Sequence, residues 1–179
     1  MKRLIIGISG ASGAIYGVRL LQVLRDVAEV ETHLVMSNAA RQTLALETPY
    51  SLREVQALAD VVHDARDIAA GISSGSFKTL GMAILPCSIK TLSGIVNSYS
   101  DGLLTRAADV VLKERRQLIL VPREAPYSSI HLENMLKLSN LGVTILPASP
   151  GFYHQPQTLD DLVDFVVARI LNCLNIPQD

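Results

Sequence analysis

Gly7, Gly10 and Gly13, interleaved with Ser9 and Ser12, stand in a G-x-x-G-x-x-G pattern between an apolar run and a helical one. Glycines at such a junction let the backbone approach a phosphate, and the N-terminus of the following helix offers it free N–H groups. The spacing is neither the G-x-G-x-x-G dinucleotide fingerprint nor the G-x-x-x-x-G-K-[ST] phosphate loop. A dinucleotide site also wants an acidic residue at the end of the second strand to hold the ribose, and Ser37 stands there. The segment therefore suits an anion or a cofactor without an adenosine ribose diol, or else a purely structural turn.

Arg123–Glu124 is a charged pair directly after the apolar run Leu118–Pro122, at the kind of strand end where open α/β sheets bind ligands. Arg106 and Lys113, seven residues apart in a helical run, share one face, while Arg115 and Arg116 at its end complement the helix dipole. Other motifs fail on context. Gly71–Gly75 matches G-x-S-x-G, but no strand precedes it, as a nucleophile elbow requires. His131-Leu132-Glu133 lacks the P-C-x-x-C that completes a zinc deaminase site. Asp160, Asp161 and Asp164 open the last helix, where carboxylates suit the dipole. His33 and His63 have no further ligand at metal spacing and read as structural, and Cys87 reads as a packed thiol, so no metal site is expected.

Strand-like and helix-like runs alternate around these residues. Arg3 to Ile8, Val30 to Met36, Ala83 to Leu85, Leu118 to Val121 and Val143 to Leu146 read as strands. Ala14 to Val27, Asn38 to Leu46, Ser88 to Ile95, Leu103 to Arg116, Ile130 to Leu138 and Leu159 to Leu174 read as helices. The alternation predicts a single-domain α/β fold over residues 1–179, a doubly wound, mostly parallel sheet with helices on both faces. The stretch between Leu46 and Met82 is polar and gives no clear pattern, and its segment Ile72–Phe77, rich in Ser and Gly, reads as a mobile loop.

The net charge of -1 supplies no field for capturing nucleic acid or a charged membrane, and no apolar segment reaches the length of a membrane span. Two cysteines cannot form a disulfide framework, so a cytoplasmic, reducing location is expected. Charged residues are 18% of the chain and hydrophobic ones 49%, a balance that points to surface covered by other copies of the chain.

Several ordered motifs resemble the UbiX-like flavin prenyltransferases, once called aromatic acid or phenylacrylic acid decarboxylases: Gly7–Gly13 with Tyr16-Gly17, Gly81–Ser88, Arg106–Val110 continuing to Arg115, Pro122–Pro126, Ile130–Met135 and Pro150–Tyr153. The resemblance spans nearly the whole chain. It implies a Rossmann-like flavoprotein that joins the dimethylallyl group of dimethylallyl monophosphate to N5 and C6 of reduced FMN, without a metal. The prenylated FMN would serve a partner decarboxylase. By position, the resemblance places Gly10, Ala11, Ser12, Ser37, Ser88, Ile89, Lys90, Thr91 and Arg123 at the FMN. It places Arg106, Lys113, Tyr153 and Arg169 at the allylic phosphate, and Glu47, Lys113, Glu124 and Ser12 in catalysis, Glu47 and Arg169 on the resemblance alone. It further implies a dodecamer of trimers with active sites at subunit interfaces. Direct FMN-dependent decarboxylation and a non-catalytic FMN carrier are the alternatives. The chain departs from the family pattern in lacking a flavin-side tryptophan and in carrying Gly102 after Asp101.

Overall fold

The computed structural model describes residues 1–178. Strands β1 (Lys2–Ile8), β2 (Val30–Met36), β3 (Val61–His63), β4 (Gly81–Cys87), β5 (Gln117–Pro122) and β6 (Thr144–Ile145) form one parallel sheet in the order β3-β2-β1-β4-β5-β6. Helices α1 (Ala14–Leu24), α2 (Asn38–Glu47), α3 (Leu52–Gln56), α4 (Ile89–Val96), α5 (Leu103–Lys113), α6 (Ser129–Asn140) and α7 (Leu159–Cys173) connect them. The strand order reverses between β1 and β4, which opens a crevice beyond their carboxyl ends.

Both faces of the sheet are buried, so β1, β4 and β5 carry near-continuous apolar runs, Leu4–Ile8, Met82–Leu85 and Leu118–Val121, rather than an alternating pattern. Leu4, Ile6, Ile8, Leu34, Ala83, Leu85 and Ile119 pack against α1 and α7. Ile5, Val35, Met82, Ile84, Leu118 and Leu120 pack against α4 and α5. Arg19 of α1 forks onto Asp164 of α7 at 2.5 and 3.1 Å and fixes the first of these layers. Asp161 accepts from the backbone of Gln157 and Thr158 and closes a capping box at the start of α7. No helix among the described residues is long and apolar enough to cross a membrane.

The structure corrects the sequence reading in four places. The patternless stretch holds α3, the edge strand β3 and a 3₁₀ turn at Gly71–Ser73. Ile72–Phe77 is not a free loop, because Ile72 is buried and Arg116 donates to the carbonyls of Gly75 and Phe77, each at 2.6 Å. Arg116 is thus a clamp and does not complement the dipole of α5, which ends at Lys113 before Arg115 turns left-handed at φ 53°. Helix α1 likewise stops at Leu24, short of Val27.

Candidate active site

A cavity of about 980 Å³ lies at the carboxyl end of the sheet. The N-terminal turns of α2, α4 and α5 all border it, through Ser37–Ala39, through Ser88, Lys90 and Thr91, and through Gly102, Leu104 and Thr105. Each helix start leaves backbone N–H groups without an intrahelical partner and carries the positive end of the helix dipole, so the cavity is biased toward an anion. Ser37 caps α2 by accepting from Ala40 N–H, and Ser88 caps α4 by accepting from Thr91 N–H. Lys90 supplies a cation at the rim and holds Asp101 at 3.0 Å. Ser9 is buried; its hydroxyl donates to the Pro86 carbonyl at 2.8 Å and accepts from Ser88 N–H at 2.7 Å, tying the two loops of the crevice together.

The glycine pattern has intramolecular causes. A Cβ on Gly10 would overlap the Ala39 methyl, so glycine lets the β1–α1 turn meet the start of α2. Gly13 sits at φ 110°, a region open to glycine, and begins α1 without a side chain to cap it. Glu47, at the end of α2, supplies the missing cap. Its carboxylate accepts from Gly13 N–H at 2.8 Å and from Ala14 N–H at 3.3 Å. Burial raises its pKa, but hydrogen bonds from Gly13, Ser12 and Ala14 and the charge of Arg123 outweigh that and hold the carboxyl below its ordinary range. Arg123 also faces Tyr16, whose hydroxyl is pushed up by burial and pulled back by the guanidinium. Ser12, Glu47, Tyr16 and Arg123 therefore form one electrostatic cluster beside the start of α1.

Of the residues expected at FMN, Gly10, Ser37, Ser88, Lys90 and Thr91 line the cavity, Ser12 and Arg123 belong to the adjoining cluster, and Ala11 is buried behind it. Ile89 is half-buried at the start of α4 and outside the lining. Glu124 follows Arg123 and turns onto the N–H of Ala125. Tyr153 is 83% exposed and stands edge-on to Phe165. Arg106 and Lys113 lie on the exposed side of α5, where Arg106 pairs with Asp109 and Lys113 with Glu114. One protomer does not bring the whole set together. Helix α5 runs away from the cavity, so Lys113 stands at the amino edge of the sheet, beside Gly75 and roughly 16 Å from the cavity end of its helix. Arg169 stands exposed in the last part of α7, near the same edge, where Gln117 at the start of β5 donates to the Cys173 carbonyl.

Sequence reasoning missed part of the cavity wall. Ala65, Arg66, Asn97 and Tyr99 border the cavity. The signal for Ala65 and Arg66 was weak, because three-residue β3 ahead of them does not form a periodic pattern.

A doubly wound sheet whose switch point opens onto converging helix starts defines an α/β protein built to hold a phosphorylated ligand. The family model "Flavoprotein" matches residues 1–171. The flavin prenyltransferase UbiX of Escherichia coli K12 is 70% identical over 181 residues, covering 100% of this chain and 96% of that protein. Among solved structures, the dodecameric FMN-dependent UbiX-like decarboxylase of Escherichia coli O157:H7 superposes with a TM-score of 0.96 at 60% identity, over 97% of this chain and 94% of that one. AnUbiX (PadA1), in complex with FMN and dimethylallyl pyrophosphate, superposes at 0.95 with 47% identity, over 97% and 92%. The chain belongs to the flavoprotein family, among the flavin prenyltransferases of the UbiX type.

Proposed function

We propose that this chain is a flavin prenyltransferase that joins the dimethylallyl group of dimethylallyl monophosphate to N5 and C6 of reduced FMN, yielding the prenylated flavin for a partner decarboxylase. The observation that carries this reading is 70% identity over the full chain to a flavin prenyltransferase, and it is supported by a cavity lined by Gly10, Ser37, Ser88, Lys90 and Thr91, five of the residues expected at FMN. FMN fits the residues present. Three helix N-termini suit its phosphate, and the carboxylate on the rim, Asp101, is neutralised by Lys90.

Bound reduced FMN supplies an electron-rich ring for the allylic carbon. The rest falls to side chains. Arg123, fixed at the end of β5, holds an anion against the start of α1. Leaving of the allylic phosphate concentrates negative charge on its oxygens, so cations placed there act more strongly in the transition state than on the intact substrate. Arg106, Lys113 and Arg169 are that set in our reading, with the Tyr153 hydroxyl donating a hydrogen bond to the phosphate and Glu124, as an acid, giving a proton to its oxygens. Glu47 is ionised at neutral pH, and because Gly13 and Ala14 both bond its Oε2, its other oxygen can take a proton while the cap is kept.

The separation of Lys113 and Arg169 from the cavity supports a homo-oligomer in which neighbouring copies complete each site. The dodecameric relative at 60% identity supports the same assembly, as do the exposed apolar residues Ile130, Leu132 and Leu136 of α6. Incubation with reduced FMN and dimethylallyl monophosphate, followed by mass spectrometry of the flavin, tests the reaction. A parallel arm with the pyrophosphate identifies the donor.

A further inference from the structure

We propose that His33 and His63 are positioning residues, a clasp that holds one wall of the flavin cavity and lets it go when both rings are protonated. His33 is buried on β2 and His63 ends the short edge strand β3. Their rings stack at 5.3 Å, and Nδ1 of His33 lies 3.0 Å from Nε2 of His63. Nε2 of His33 lies 2.7 Å from a Glu31 oxygen. A carboxylate only accepts, so this nitrogen carries a hydrogen. The line between the two rings then holds one proton, supplied by either. The pair accommodates one positive charge, balanced by Glu31, and a second proton replaces the hydrogen bond with two facing donors.

The surroundings sharpen this limit. Arg3 of β1 binds Glu31 at 3.2 Å and lies over Phe77, whose ring edge meets His33. Asp60, at the start of β3, is held by Thr32 and feels the charge of His33, and Asp67 faces His63 from the following turn. Burial, and then the charge of His33, keep the His63 imidazole below the ordinary histidine range against the pull of Asp67. The unfolded chain therefore takes the second proton at a higher pH than the folded one. The clasp's contribution is full above about pH 6.5 and falls as acid reaches the folded His63.

Two residues beyond His63 the chain becomes cavity wall. Ala65 lines the cavity, and its carbonyl accepts from Leu103 N–H at 2.8 Å, fixing the start of α5. Arg66 lines the cavity beside it, its backbone N–H held by Asp64 at 2.9 Å. Strand β3 meets β2 over only three residue pairs, so the side-chain ties at its two ends, Thr32–Asp60 and His33–His63, decide where this wall stands.

The test uses FMN binding, and so rests on the flavin reading, with a second arm that does not. FMN affinity of the full chain is measured between about pH 8 and pH 5.5 for wild type and His63→Gln, which can still bond His33 but does not titrate. The ionisation of FMN is common to both and cancels in their ratio. Wild type should match the variant at the upper pH and lose about tenfold more affinity on acidification. Parallel profiles, or a variant weak at every pH, overturn the proposal. In the flavin-free wild type, amide exchange over residues 61–66 and 103–106, corrected for its intrinsic pH dependence, should speed up over the same range relative to β1 and β4. Unchanged protection there also overturns it, while absence of FMN binding at any pH overturns the flavin reading alone.

Discussion

At the scale of single residues the proposed chemistry rests on Glu47 and Arg123, and the two make different predictions. Arg123 follows a buried strand and makes no salt bridge among the described residues, which suits the proposed role of holding an anion. Arg123→Ala should weaken FMN binding by about 1.5–3 kcal/mol, the range of a charged hydrogen bond, as read by flavin titration with the fold checked by circular dichroism. Glu47 is a helix cap as well as a proposed member of the site. Glu47→Ala should cost about 0.5–2 kcal/mol in denaturant unfolding, as loss of a helix cap does. Its folded pKa lies below the unfolded value, so its stabilisation is present above about pH 4.5 and disappears as pH falls through the folded value. Wild type and Glu47→Ala should therefore converge in stability in acid.

Elements decide which of these residues meet. The alternation of apolar runs made the sheet and its ligand edge legible, and with them the places of Ser37, Ser88 and Arg123. Glycine spacing was legible too, but its cause was not, since the clash that fixes Gly10 comes from Ala39 on another element. Gly10→Ala should displace the start of α2, costing about 1–3 kcal/mol and weakening FMN binding together. Strand β3 and the clamp on Gly75 and Phe77 were invisible, because both depend on partners distant in sequence, β2 and Arg116. Arg116→Ala should cost about 1.5–3 kcal/mol and open residues 72–77 to proteolysis, while wild type resists cleavage there.

The whole molecule exposes 9214 Å², above the roughly 8,500 Å² expected for a monomer of this mass, and leaves Ile130, Leu136, Phe152 and Tyr153 mostly uncovered. Surface of this kind fits a subunit rather than a free monomer, as the low charge content already indicated. Residue types made Lys113 and Arg169 readable by resemblance, but their distance from the cavity emerges only from the direction of α5 and α7. At FMN concentrations too low to load the Arg123→Ala variant, Lys113→Ala and Arg123→Ala protomers should each be nearly inactive alone. Mixed randomly in one assembly, they should regain activity at about a quarter of sites if Lys113 and Arg123 of one site come from different copies, and none if both come from the same copy. The most direct measurement of the central claim is the mass of the flavin after the chain meets reduced FMN and dimethylallyl monophosphate. A flavin heavier by one dimethylallyl unit, with inorganic phosphate released, is the predicted result, whereas an unchanged flavin beside carbon dioxide from an aromatic acid would contradict it.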